Sequence, residues 1–439
     1  MPKVLIVSPS AYLYGGVESI LHDLCAILPS HGWDAVLGLV HGRYFHNVDR
    51  YIETFPELPI YPIRSNFPSR ASRTKAIYRV IRRLDPDLVL VARIGDAYEA
   101  VGKHKELYGK PRLAMALRGF EAQYLVDARV FEPIIDMCIT DGRLIANACI
   151  KLAGIEQQRV VSLPGGVRLP TDIVEPRETG ELLRLTYIGR LQHSDKRVLD
   201  LITLTDKLAI LGVPFSLDIV GAGPEEAHLR KELSKRISDE KLRFHGWVSR
   251  NYLYSNILPN VDCLLNFSPT EGVTISPREG MVNGVVPVIS EFPGLALEGQ
   301  FLHEVNALTF PVENIERAAH CVCRLWSEPG LLSKLSRAAL TSQVGKYTQG
   351  GSMLEWANAF NISMTMPLKI SKTEIPSQQH SGRLENLGVP PVIADTCRFF
   401  TGRQPVPDDP GSEWPHGRIR VTANDLHLLK NFSDNIDSR

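Results

Sequence analysis

The chain has 439 residues, more than one ordinary hydrophobic core accommodates, so two or three domains are expected. Its 44% hydrophobic and 22% charged content is that of a soluble globular protein, and 49 basic residues balance 49 acidic ones. A zero net charge argues against a protein that grips nucleic acid through many phosphate contacts, which needs a basic excess.

The first predicted element is the apolar run Lys3–Val7. It has strand length and is far too short for a signal core or a membrane span, and no later stretch reaches the roughly 18 apolar residues a spanning helix needs. A cytoplasmic chain is the expectation. Further strands are expected at Ala35–Val40, Leu88–Ala92, Arg112–Leu117, Met137–Thr140 and Val160–Leu163. A second series follows at Leu185–Ile188, Ser216–Val220, Leu242–Phe244, Val261–Asn266 and Val286–Ile289. Consecutive Val, Ile and Leu mark strands of parallel sheets covered on both faces. Helical patterns lie between them. In the first, Val17, Ile20, Leu21, Leu24 and Leu28 share one face. Two such series predict an α/β chain of two doubly wound domains.

The boundary is expected near Gly165–Gly180, where the polar, proline-bounded segment Leu169–Pro176 suits a linker. From about Thr365 prolines recur, at Pro390, Pro391, Pro405, Pro407, Pro410 and Pro415, and break any long element. Two periodic pieces remain in this tail, Val392–Phe400 and Ile419–Leu429. The cysteines Cys25, Cys138, Cys149, Cys263, Cys321, Cys323 and Cys397 are scattered, odd in number and without a C-x-x-C pair. They are expected as free thiols, mostly buried, and not as a zinc site.

Three stretches carry candidate chemistry. In Ser8-Pro-Ser-Ala-Tyr-Leu-Tyr-Gly-Gly-Val-Glu18 a strand ends and Gly15-Gly16 opens an amphipathic helix. Glycines there let a ligand approach the backbone, and a helix start offers free N–H groups to an anion. A plain two-glycine turn reads equally well. In Tyr187-Ile-Gly-Arg190-Leu-Gln-His-Ser-Asp-Lys196-Arg, the loop follows the first strand of the second series, where open α/β sheets bind ligands. Arg190 can fork onto two phosphate oxygens and Lys196 adds a second cation, although such a pair is commonly just solvated surface.

The longest stretch is Ser268-Pro-Thr-Glu271-Gly-Val-Thr274-Ile275-Ser276-Pro277-Arg-Glu279-Gly-Met281. It follows a strand and opens a helix with Pro277 in the first turn. Glu271 falls in the loop and Glu279 in the helix. The amides of Thr274, Ile275 and Ser276 would face a bound anion. Two carboxylates so placed suit the hydroxyls of a sugar and a ribose. Taken alone, a helix-capping acidic cluster explains them as well.

Together these stretches resemble the retaining glycosyltransferases of the large family 4, which have the GT-B architecture. The resemblance covers about residues 1–360. It rests on Gly-Gly-Val-Glu at 15–18, Gly-Arg-Leu…Lys at 189–196 and Glu271…Glu279 followed by Gly-Met-Val-Asn-Gly-Val-Val-Pro-Val-Ile-Ser. Val220-Gly-Ala-Gly-Pro224 and Phe244-His-Gly-Trp-Val248 are similar to further signposts of the family.

The resemblance implies two Rossmann-like domains facing a central cleft. They are an acceptor domain over 1–168 and a nucleotide-sugar donor domain over 181–346, followed by a helix over 347–364 packing back towards the first domain and a tail over 365–439. It implies transfer of a sugar from a nucleoside-diphosphate sugar, a UDP-sugar foremost, to a glycan, lipid-linked or small-molecule acceptor, with retained anomeric configuration. Arg190 and Lys196 would hold the donor diphosphate as leaving group. Glu271 would contact the transferred sugar and Glu279 the ribose. Val248 would offer its backbone to the nucleobase, and Gly16 would let the first domain's backbone close on phosphates or acceptor. No cofactor and no divalent metal are expected, and Asp85-Pro86-Asp87 reads as a turn.

Two departures stand out. Many members of the family carry a catalytic histidine on the loop after the strand that is Arg112–Leu117 here, and this chain has Arg118. An arginine there can pair with a donor carboxylate such as a hexuronic acid, bind phosphate, or serve the fold. The family's Asn-Gly-Val-Asp is Gly165-Gly-Val-Arg168.

Rival readings are a nicotinamide oxidoreductase, a non-catalytic nucleotide-sugar-binding protein and a sugar-nucleotide epimerase. Only Gly221-x-Gly223 hints at the first. It lacks the third glycine, and Glu225 and Glu226 would stand where a pyrophosphate should sit. Finally, Arg64, Arg70, Arg73, Lys75, Arg79, Arg82 and Arg83 interleave with Ile77, Tyr78, Val80, Ile81 and Leu84. That segment, 64–84, reads first as the outer face of a core helix and second as a peripheral contact with anionic membrane.

Overall fold

The computed structural model describes residues 1–10, 16–40, 47–66, 70–92, 94–372 and 421–436, with isolated positions between 384 and 419. The chain forms two units, Met1–Gly165 with Gly350–Phe432, and Gly166–Gln349 with Ser433–Arg439.

The first unit holds seven parallel strands: β1 (Lys3–Pro9), β2 (Asp34–Val40), β3 (Ile60–Ile63), β4 (Leu88–Ala92), β5 (Arg112–Leu117), β6 (Met137–Thr140) and β7 (Val160–Ser162). Their order is β3-β2-β1-β4-β5-β6-β7. The order reverses beside β1, the first strand, as in doubly wound sheets. Val4, Leu5, Ile6 and Val7 are all fully buried, because helices cover both faces of this central strand. Strand β3 was not expected from the sequence. It is an edge strand containing Pro62 and is only partly buried, so its apolar signal is weak.

The basic segment resolves into the helix Arg70–Leu84. Ala76, Ile77, Val80 and Ile81 are buried in the core of the first unit, and Arg73 pairs with the fully buried Asp96 at 3.1 Å. The apolar stripe is therefore spent on the core, leaving Lys75, Arg79, Arg82 and Arg83 as an exposed cationic row. Among the described residues no helix is long and apolar enough to cross a membrane. In the Asp85-Pro86-Asp87 turn, Asp85 pairs with Lys110 at 2.7 Å and Asp87 accepts from the Lys3 amide at 2.7 Å.

Described residues between Gly350 and Phe432 belong to the first unit. In the helix Gln349–Thr365, Trp356 and Phe360 are buried, and the Phe360 ring meets Trp33 edge-on at 5.3 Å. Trp33 Nε1 donates to Asn361 Oδ1 at 3.0 Å. A strap follows. Arg112 and Arg159 donate to the carbonyls of Met364 and Pro367, and the Lys369 amide donates to Asp136 at 3.0 Å. Asp136 also accepts from the buried Lys105 at 2.5 Å. One carboxylate thus ties β6 to the tail. The helix Ala423–Ile436 rests Leu429 and Phe432 against the same core, and its Asp425 pairs with Arg129 at 2.8 Å. The piece Val392–Phe400 lies largely outside the described residues. The cysteines are free; five are buried, Cys323 is half-buried and Cys397 is exposed.

The second unit holds six parallel strands: β8 (Leu183–Ile188), β9 (Phe215–Val220), β10 (Leu242–Gly246), β11 (Cys263–Asn266), β12 (Val286–Ser290) and β13 (Leu308–Phe310). Their order is β10-β9-β8-β11-β12-β13, with β8 and β11 at the centre. Strand β13 escaped the sequence reading because three residues carry no periodicity. The segment read as a linker is pinned to this unit. The Arg177 amide donates to Ser336 at 2.8 Å, and its guanidinium donates to the carbonyls of Leu258 and Asn283, both at 2.8 Å.

Candidate functional site

The centre of the second sheet places the residues that the sequence singled out. Strand β8 ends at Ile188, and Gly189-Arg190-Leu191 leaves its carboxyl end. This loop is backed by the turn after β9. The Gly189 and Leu191 amides donate to the carbonyls of Val220 and Ala222, both at 3.0 Å. A Cβ on Gly221 would stand 1.9 Å from the Gly189 carbonyl oxygen, and one on Gly223 would stand 2.3 Å from that of Leu191. Only glycine lets the two backbones press together. The Gly-x-Gly pair is therefore a support for the Arg190 loop, which explains why it need not complete a dinucleotide fingerprint.

The Tyr187 hydroxyl fixes the loop from below, donating to the Arg190 carbonyl at 2.9 Å. Burial raises its pKa above the usual phenol range, and the nearby Glu271 and Asp195 carboxylates add to the effect. Arg190 is half-exposed, with Nη1 3.5 Å from Asp195 Oδ2. Lys196 ends the short helix His193–Lys196, and Arg197 closes it in the left-handed region at φ 48°. Lys196 Nζ donates to Glu271 Oε1. Arg190, Asp195, Lys196 and Glu271 therefore gather at the end of β8, two cations against two carboxylates. The second oxygen of Asp195 and Nδ1 of His193 are buried there without a hydrogen-bond partner among the described residues.

Glu271 comes from the loop after β11, the neighbour of β8. Further along, the helix Ser276–Met281 carries Pro277 in its first turn, as the sequence predicts. The Ser276 hydroxyl donates to the Ile188 carbonyl at 2.9 Å and ties this helix to the end of β8. The amides of Thr274, Ile275 and Ser276 donate to no acceptor among the described residues, as is usual where a helix begins. Glu279 is buried and pairs with Arg250 Nε at 3.0 Å. Its neighbour Arg278 is wholly buried and serves the fold, donating to Gln343 at 2.8 Å and to the Tyr347 carbonyl at 3.0 Å.

Val248 follows β10 and packs on the cluster of Val220, Leu253, Ile257 and Leu264. Before it, His245 Nε2 meets Asp218 Oδ1 at 2.6 Å, and Gly246 turns the chain at φ 65°. Arg250, Tyr254 and Asp195 were not assigned from the sequence. Asp195 lies inside the quoted motif, but nothing local marks Arg250 or Tyr254, which become site neighbours only through folding.

The remaining two candidates lie in the first unit. Gly16 is exposed and opens the helix Gly16–Ile27; Tyr12 to Gly15 fall outside the described residues. Arg118 follows β5, and its Nη1 donates to the Leu163 carbonyl at 2.9 Å, bracing the loops after β5 and β7.

Residues 183–328 match the family model described as Glycosyl transferases group 1. Among solved structures, the apo form of the lipopolysaccharide outer core galactosyltransferase WaaB is 18% identical, with a TM-score of 0.65, over 82% of this chain and 99% of that one. HepE from Anabaena, in complex with UDP and glucose, is 15% identical with a TM-score of 0.66, over 82% and 100%. A TarM variant from S. aureus, in complex with fondaparinux, α-GlcNAc-glycerol and UDP, is 11% identical with a TM-score of 0.66, over 82% and 100%. No curated protein sequence matches the chain. The chain has the GT-B fold of two Rossmann-like domains, and the segment that carries Arg190, Lys196, Glu271 and Glu279 is the one that matches the glycosyl transferases of group 1.

Proposed function

We propose that this chain transfers a sugar from a UDP-sugar to a hydroxyl of a glycan, lipid-linked or small-molecule acceptor, with retention and without a metal ion. The observation that carries the reading is the cluster of Arg190, Lys196 and Glu271 at the carboxyl end of β8, inside the matched segment. It is supported by the relatives in fold that were solved with UDP.

Arg190 and Lys196 bind the diphosphate and stabilise the negative charge that grows on it as the bond to the anomeric carbon breaks. Glu271 accepts hydrogen bonds from hydroxyls of the transferred sugar. Glu279 takes the ribose, the backbone at Val248 lies along the base, and the amides of Thr274 to Ser276 add donors near the phosphates. The acceptor oxygen bonds the anomeric carbon on the face the diphosphate leaves, and its proton passes to the departing phosphate oxygen. The first unit, with Gly16, supplies acceptor recognition. Arg118, braced on Leu163, is the residue there that a uronate donor would meet.

The test is a thermal-shift panel of sugar nucleotides without metal, on wild type and Arg190→Ala. A ligand that binds only the folded state raises its melting temperature by mass action. A UDP-sugar that stabilises wild type and not the variant supports the assignment and names the donor. A flat response to every sugar nucleotide overturns it.

A further inference from the structure

The hydroxyl of Tyr254 is buried and has no hydrogen-bond partner among the described residues. Such a group costs the folded state stability, and a side chain that keeps one needs a reason. Its surroundings supply one. Tyr254 sits on a single π turn, Leu253–Ile257, directly after the short helix Arg250–Tyr252. π turns re-aim side chains and recur at functional sites. The Tyr254 ring packs on the cluster that also takes Ile188 and Val248, one at the end of β8 and one just after β10. Arg250, four residues earlier, holds Glu279 at 3.0 Å. Burial raises the phenol's pKa, and the Glu279 carboxylate is the next cause, so the group keeps its proton beside that carboxylate. The turn that carries Tyr254 is thus the one that brings Arg250 to Glu279, and among the described residues no hydrogen bond joins the phenol to that carboxylate. A hydroxyl of a ligand placed at both could accept from the phenol and donate to the carboxylate.

We propose that the Tyr254 hydroxyl is a ligand contact of the Glu279 site, donating a hydrogen bond to a pentose hydroxyl of the bound nucleoside diphosphate. This rests on the reading of the second unit as a nucleotide-sugar site. Under it, the orphan hydroxyl is satisfied only when the pentose is present, so it contributes nothing to the free protein and favours ribose over deoxyribose.

The test is calorimetric binding of UDP, 2′-deoxy-UDP and 3′-deoxy-UDP to the full chain, as wild type and as Tyr254→Phe, with melting temperatures of both free proteins. GDP and its deoxy analogues replace these if wild type prefers GDP. Tyr254→Phe is expected to melt at or above wild type and to bind UDP about five- to tenfold more weakly. The deficit should nearly vanish for the analogue that lacks the contacted hydroxyl. Equal affinity of the two proteins for UDP overturns the proposal, as does a deficit of the same size for UDP and both deoxy analogues. A variant that melts well below wild type also overturns it, since the hydroxyl would then be bonded in the free protein. Failure of wild type to bind either nucleotide is a separate outcome: it sinks the assignment of the site itself, before any variant is measured.

Discussion

Lys196 donates a hydrogen bond to Glu271, joining two side chains that lie 75 positions apart in the sequence. The loop after β8 brings one and the loop after β11 the other, and the two strands are neighbours. In the free protein each candidate donor cation thus stands against a carboxylate, Lys196 against Glu271 and Arg190 against Asp195. Under the proposed function a diphosphate would take over both cations and release Glu271 towards the sugar hydroxyls. The pairs set each cation against an opposite charge, so the four charges sum to zero.

Lys196→Ala should therefore cost activity far more than stability. Loss of a charged hydrogen bond to the leaving group is about 1.5–3 kcal/mol, or roughly 10- to 150-fold in kcat/KM. The side chains are 25% and 14% exposed, so solvent screens the pair and its loss should change folding stability by about 1 kcal/mol or less. Steady-state transfer rates and thermal melts of wild type and variant check both. A large fall in melting temperature with unchanged kcat/KM would show the pair to be structural.

Gly223→Ala tests the backing of the Arg190 loop. The new Cβ would stand 2.3 Å from the Leu191 carbonyl oxygen, which is backbone and cannot swing aside. The loop must shift, so UDP affinity should fall at least about tenfold, with about 1–3 kcal/mol of lost stability. Gly180→Ala, whose Cβ meets only an ordinary contact at 3.8 Å, is the control in the same unit. Equal UDP affinity in the two variants would refute a supporting role for Gly223.

Transfer should continue undiminished in excess EDTA, because in the proposed mechanism Arg190 and Lys196 take the place of the positive charge that a divalent ion supplies elsewhere. An absolute requirement for Mg²⁺ in the same assay would overturn the proposed mechanism while leaving the fold untouched.

Lys105 gives the first unit a pH signature. It is wholly buried between Asp136 and the Ile134 carbonyl, and burial pulls its pKa down to about 8. The unfolded chain holds that proton up to about 10.4. Between these values the unfolded state binds more protons, so this group's contribution to stability rises with pH, by at most about 1.4 kcal/mol per unit. Below about 8 both states are protonated and the contribution is flat. Urea titrations from pH 7 to 10 should show a shallower upward trend for Lys105→Met than for wild type. Parallel curves would mean that Lys105 stays charged throughout, held by Asp136.

Much of the frame is legible in the sequence, and particular residues show why. Val4 to Val7 and Cys263 to Leu265 announce buried parallel strands through unbroken apolar runs, because both faces of such strands are covered. Gly189-Arg190, Glu271 and Pro277 announce strand-to-helix turns by local chemistry, so the candidate site falls where the sequence points. The edge strands β3 and β13 are weak or short and escape it. The tail reads as proline-broken with two periodic pieces, and nothing in it marks the strap from Met364 to Lys369, which is held in place by Arg112, Asp136 and Arg159, all distant in the chain.

What the sequence determines by itself is therefore whatever spacing and backbone preference encode: alternating strands and helices, the turns that open them, and the residue types offered at the carboxyl ends of β8 and β11. Only the tertiary structure decides which charge meets which. Lys196 pairs with Glu271, Arg250 with Glu279, and Tyr254 keeps a buried hydroxyl without a partner among the described residues. The physical reason is range. Periodicity and turn chemistry act over a few residues, whereas ion pairs and orphaned groups depend on strand order and register, which bring together positions that no local pattern relates.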